Sequence, residues 1–197
     1  KYFHIYKVPL IGKQAQMYEN ARFNLELDLI NLGNQRFKRS IASYLQKRAA
    51  LLQICSCPDA IDPSYAEIPA KYLELDNIIE MLFGKGRKLI VWSFYKKSID
   101  SIIERYDKHK PLRIDGSVGS SERKEAVNLF QSDPSRMLLV ANPAAAGAGI
   151  TLHASFDAAY FSYSNKAADY LQSLDRIHRR GQKSSEVNYY LFVCQNT

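Results

Sequence analysis

Hydrophobic and polar positions fall into two regimes along the chain. In residues 69–197, short apolar runs alternate with stretches whose apolar positions recur at three- and four-residue steps. The runs Lys88–Ser93 (KLIVWS) and Arg136–Ala141 (RMLLVA) are almost wholly apolar at their centres. That is the pattern of strands buried on both faces. Further strands are predicted at Leu112–Ile114, Ala158–Ser162 and Val187–Val193. Helices are predicted at Ala70–Phe83, Lys96–Tyr106, Ser121–Gln131 and Ala167–Arg176, the third capped by Ser120 or Ser121. Strands that alternate with helices imply an α/β fold: a parallel sheet with helices on both faces and right-handed crossovers.

Residues 1–68 read differently. An alternating strand, Tyr2–Val8, leads into predicted helices at Lys13–Leu32 and Asn34–Ile54. The first carries an imperfect apolar face (Met17, Ala21, Leu25, Asp28, Leu32). The second carries a stripe expected to be buried (Ile41, Leu45, Ala49, Leu52). The segment CSCPDAIDPSYAEIP holds three prolines and reads as a linker. The expected organisation is a strand and small helical insertion over 1–68, then the α/β domain over 69–197.

Composition adds limits. Hydrophobic residues at 46% and charged residues at 24% suit an ordinary globular chain. No apolar run is long enough to cross a bilayer, so no membrane partner is expected, and KYFHIYKVPL has no signal-peptide core. Three cysteines and four scattered histidines offer neither a disulfide framework nor a metal site. These features predict an intracellular protein, in a prokaryote, a virus-infected cell or a nucleus. The chain opens at Lys1 without methionine, as a fragment of a longer protein would. The net charge of +7 suits a polyanionic partner.

Such folds bind ligands beyond the carboxyl ends of their strands, where Ser93–Lys96, the loop after Ala141 and the stretch around Arg176–Gln182 are expected, and three segments carry candidate chemistry. Asp115-Gly116-Ser117, with Arg123 close behind, reads as a strand-to-helix turn. The loop Asn142–Leu152, with Gly147 and Gly149, suits either close approach of a phosphate to backbone N–H groups or tight helix–sheet packing. In QSLDRIHRRGQ, Gln172, Arg176 and Arg179 are spaced four and three apart and share a face in a helix. Two guanidinium forks there suit a nucleotide's terminal phosphates, and the same spacing also suits a solvated basic helix end.

Together these segments resemble the C-terminal RecA-like lobe of superfamily 2 helicases, in the Swi/Snf-type branch. The residues that carry the resemblance are KLIVWSF, DGSVGSSERKEAVNLF, GAGITL and, most specifically, QSLDRIHRRGQ, in that order. It covers about residues 69–193 well and 1–68 loosely, where VPLIGKQAQMY looks like the junction from a first lobe. The resemblance implies a RecA-like sheet. It also implies that Arg176 and Arg179 are catalytic arginines reaching ATP held with Mg2+ mainly by an N-terminal lobe. Gln172, Gly147 and Gly149 would lie in the ATP cleft. Ser93, Lys96, Asp115, Gly116, Ser117, Arg123 and Thr151 would lie on the nucleic-acid side, double-stranded DNA being the expected partner. Where relatives carry Ser-Thr-x-Ala-Gly-Gly this chain has Asn142-Pro143-Ala144-Ala145-Ala146-Gly147, Thr151 replaces the usual Asn, and Arg180 replaces a common apolar residue.

No Gly-x-x-x-x-Gly-Lys-Ser/Thr and no Asp-Glu pair occurs in these 197 residues. Without a phosphate cradle and a magnesium carboxylate, in-line attack on ATP lacks both positioning and charge relief. Turnover is therefore expected only from a longer protein. Three readings follow: half of a duplex-DNA translocase, a strand-separating DNA or RNA helicase lobe, or a binding module that kept the fold and lost catalysis. The intact arginine pair favours the first two.

Overall fold

The computed structural model describes residues 1–30, 37–146, 150–163, 166–179, 181–182 and 184–197, with the side chains of 28–30 and 37–43 set aside. Six strands form one sheet in the order β1-β6-β5-β2-β4-β3. They are β1 (Tyr2–Val8), β2 (Leu89–Trp92), β3 (Leu112–Ile114), β4 (Leu138–Ala141), β5 (Asp157–Tyr160) and β6 (Asn188–Cys194). The helices are α1 (Gly12–Ile30), α2 (Phe37–Ile54), α3 (Ala70–Phe83), α4 (Lys96–Arg105), α5 (Ser120–Ser132) and α6 (Ala167–Ile177). The strands run parallel, with Leu89 opposite Leu138, Ile90 opposite Ala158 and Ala158 opposite Tyr189.

The apolar runs occupy the middle of the sheet because only there are both faces covered. All four residues of β2, β4 and β5 are buried. Alternate side chains take opposite faces. Ile90, Trp92, Leu139, Ala141, Ala158 and Tyr160 pack with Phe130 of α5 and with Leu174 and Ile177 of α6 in one core cluster. The connections through α5 and α6 step along the sheet in the direction opposite to the connection through α4. Right-handed crossovers therefore place α4 on the other face. A RecA-like α/β fold is the result.

By contacts the chain divides into one unit of Lys1–Lys7 and Glu74–Val193, and another of Val8–Leu73 and Cys194–Thr197. The expected boundary at 68/69 thus shifts: β1 belongs with the sheet, while the end of β6 belongs with the helical unit. Within that unit, Tyr18, Leu51, Ile54, Cys55 and Cys194 form a core against Met17, Ala21 and Leu25. Gln14 spans it, donating to the Ile54 carbonyl (2.8 Å) and accepting from the Ala70 amide (3.0 Å).

Several sequence expectations need correction. Leu45 is 50% exposed, so the buried stripe of α2 is Leu51 and Ile54; the side chain of Ile41, like those of Asp28 and Leu32, lies outside the described residues. The proline-bearing segment is not a bare linker, since Cys55, Cys57 and Tyr65 are buried in it. The cap of α5 is Gly119, whose amide donates to the Glu122 carboxylate at 3.0 Å, rather than Ser120 or Ser121.

Candidate functional site

The candidate residues separate onto opposite edges of the sheet. At the carboxyl edge, the Ser93 amide donates to the Ala141 carbonyl (2.9 Å) and the Asn142 amide to the Ile114 carbonyl (2.8 Å). The Ser93 hydroxyl is buried against that of Ser162 (3.0 Å), which also accepts from the Phe94 amide (2.8 Å). Asp115 is 3% exposed and accepts from both the amide (2.8 Å) and the hydroxyl (2.6 Å) of Ser117, and from the Arg113 guanidinium. Burial opposes its charge, but the hydrogen bonds from Arg113 and Ser117 outweigh burial and hold its carboxyl at about 2.

Arg123 is occupied internally. It donates to the carbonyls of Ala145 (3.1 Å), Asp115 (3.3 Å) and Val118 (2.8 Å). It therefore ties the turn after β3 to the loop after β4 instead of extending into solvent, contrary to its expected place on a charged face. Lys96, Gly116 and Ser117 are exposed at this edge.

The arginines lie at the amino edge, not at the carboxyl edge expected from the general rule for α/β folds. The reason is topological: α6 returns antiparallel to β5, so its last turn ends beside the starts of the strands. Leu152 donates its amide to the Arg176 carbonyl (2.9 Å). Gln182 donates to the carbonyls of Ile177 (3.0 Å) and Ser155 (2.9 Å), and Ser155 stands two residues before β5. Thr151, expected on the nucleic-acid side, is found here instead. Its hydroxyl accepts from Arg179 Nη1 at 3.3 Å.

The arginines do not share a helical face as the spacing suggested. Helix α6 ends at Ile177, so Arg179 reaches its place through a bend and is exposed, as is Gln172 on the helix. Arg176 is 4% exposed. Among the described residues, no carboxylate forms an ion pair with it. Burial and the neighbouring Arg179 both push its pKa below the usual guanidinium range. A desolvated cation beside a second cation is costly unless an anion arrives.

Two glutamines that sequence reasoning left without a role frame this site. Gln131 donates to the Thr151 carbonyl (2.7 Å) and accepts from the Ala154 amide (2.8 Å). Gln182 clamps the bend after α6, as described above. Gln182 stood within the quoted motif, whereas nothing local marks Gln131. Gly147 and Gly149 lie outside the described residues. The described ends of their loop reach both edges: Ala145 meets Arg123 at one and Thr151 meets Arg179 at the other.

Residues 70–181 match the helicase conserved C-terminal domain. This chain belongs to that family. Within it the chain is a Swi/Snf-type lobe of superfamily 2. The DNA excision repair protein ERCC-6-like of Homo sapiens is 34% identical over 137 residues, covering 68% of this chain and 11% of that protein. The chromatin-remodeling ATPase INO80 of Drosophila melanogaster is 31% identical over 130 residues, 64% of this chain and 8% of its own. The chain thus spans roughly a tenth of the length of these relatives. The C-terminal part of the Fun30 ATPase domain superposes with a TM-score of 0.79 at 19% identity, covering 100% of this chain and 85% of the other. The Sulfolobus solfataricus SWI2/SNF2 ATPase core in complex with dsDNA gives 0.78 at 22%, covering 98% and 41%. Among the described residues no helix is long and apolar enough to cross a membrane.

Proposed function

We propose that this lobe completes the ATP site of a DNA-stimulated Swi/Snf-type translocase, presenting Arg179 and Arg176 to a nucleotide held with Mg2+ by an N-terminal lobe of the same protein. The observation that carries this reading is Arg176, a nearly fully buried arginine that forms no ion pair among the described residues, next to a second arginine. ATP supplies the transferable phosphoryl group when bound, and Mg2+ offsets part of its charge.

The residues of this chain do the rest of the work. Arg179, exposed and steadied by Thr151, is the finger that meets charge developing on the terminal phosphate. Arg176 sits behind it and supplies a second, desolvated positive charge. Gln131 and Gln182 hold the two segments that carry this pair. Lys96 and Ser117 at the carboxyl edge are the proposed contacts to duplex phosphates, with the buried Ser93 and Asp115 shaping their loops. The relatives' names, a chromatin-remodeling ATPase and a DNA excision repair protein, support DNA as the track.

Kinetics on the full-length protein test this assignment. Arg179→Ala is expected to lower kcat by about 10³-fold or more, while Kd for ATP and for duplex DNA changes little. Near-normal turnover in that variant would remove Arg179 from the site.

A further inference from the structure

The helical unit carries a group of side chains that the motor reading does not use. Cys55 directly follows α2 and Cys194 ends β6, far apart in sequence, yet both lie in one core cluster. The Cys194 sulfur is 3.8 Å from the Cys55 carbonyl oxygen. Its thiol neighbour, Cys55, is in hydrogen-bonding contact with it. Lys71, at the start of α3, is 4% exposed, with its ammonium 3.4 Å from the Ser56 hydroxyl. Burial lowers the pKa of that ammonium, and the neighbouring Cys194, Cys55 and Cys57 oppose the shift. A buried ammonium is favoured by an anion that faces it, and an ionised thiol of this group would supply one.

The geometry points to an oxidisable dithiol, Cys55 and Cys194, served by Lys71 and converted by a hydroperoxide into an intramolecular disulfide. Structural cysteines in apolar cores are normally inert because burial disfavours the thiolate. Here the hydrogen bond from Cys55 and the field of Lys71 outweigh burial and lower the Cys194 thiol below the ordinary cysteine range, while Cys55, the donor, is pushed up. The phenol of Tyr18, on α1, also faces the pair.

The chemistry balances with peroxide as oxidant. The Cys194 thiolate attacks one peroxide oxygen and breaks the O–O bond, giving a sulfenic acid and hydroxide, which takes a proton to become water. The Cys55 thiol then attacks the sulfenic sulfur. The S–S bond forms, the S–OH bond breaks, and the thiol proton leaves with the hydroxyl as a second water. Both sulfurs are oxidised by one electron and the peroxide is reduced by two.

The test uses the whole 197-residue chain and hydrogen peroxide, read by alkylation and mass spectrometry. The three free thiols should fall to one. The lost pair should appear as a linked Cys55–Cys194 peptide, lighter by two hydrogen atoms. Cys57→Ser should retain this product, whereas Cys55→Ser and Cys194→Ser should abolish it. Lys71→Met should slow disulfide formation about tenfold at neutral pH and move the pH midpoint of the rate upward, with Lys71→Arg restoring much of it. Should Lys71→Met fail to fold, alkylation of the unaltered chain still decides: one thiol must titrate below the ordinary cysteine range. Three thiols that survive peroxide, a Cys55–Cys57 product, or no thiol titrating below the ordinary cysteine range would each overturn the proposal.

Discussion

Arg176 is the residue where the proposed function and stability pull apart. A guanidinium that is 4% exposed, beside another cation, opposes folding of the free lobe. Replacing such a charge with an apolar side chain of similar volume is often neutral or stabilising. Arg176→Met is therefore expected to raise the unfolding free energy of this chain by about 1–2 kcal/mol while removing ATP turnover from the full-length protein. Denaturant titration measures the first and steady-state kinetics the second; a marked loss of stability would mean that Arg176 is satisfied internally. Asp115 behaves in the opposite way. Its folded-state pKa of about 2 lies below the ordinary carboxylate value, so its contribution is present above pH 4 and disappears as pH falls through about 2. Asp115→Asn should cost about 2 kcal/mol at pH 7, and the two proteins should converge in stability near pH 2. The sequence marked both residues through their motifs. It did not reveal that one is buried as a charge and the other is spent on its own turn, because burial is set by the packing of distant segments.

Elements were legible wherever local pattern and tertiary environment agree. The continuous apolar runs of β2 and β4 can only be strands covered on both sides, and the sheet confirms that. Helix α3 has the bounds its periodicity predicted, Ala70–Phe83. The pattern misleads where spacing alone had to choose a face, as with Leu45 and with Arg179, which lies beyond the end of α6 at Ile177. Gln131 was invisible for the same physical reason: its partners, Thr151 and Ala154, arrive from a segment some twenty residues away. That long-range clamp gives a prediction at the scale of an element. Gln131→Ala leaves the Thr151 carbonyl and the Ala154 amide without their partner and should destabilise the lobe by about 1–3 kcal/mol. Because the segment it releases presents Thr151 to Arg179, kcat in the full-length protein should fall while Kd for DNA holds. A variant that lost stability but kept full kcat would reduce Gln131 to scaffolding.

At the scale of the molecule, the sheet separates two tasks by its own depth. Arg176 and Arg179 end at the amino edge because α6 must run back along β5 before β6 begins, whereas Lys96 and Ser117 sit at the carboxyl edge, where β2 and β3 release their chains. The motifs taken one by one point to a single edge for all of them, since sequence order does not say which end of a returning helix a residue occupies. This separation makes the two proposed functions independently addressable. Lys96→Ala should weaken duplex binding and lower the magnitude of its log–log salt slope by about one, because one fewer phosphate is neutralised, with little change in kcat at saturating DNA. Arg179→Ala should leave that slope unaltered while turnover collapses. If both variants changed the salt slope equally, the arginines would be contacting DNA phosphates rather than ATP. The amino edge would then belong to the track and not to the fuel.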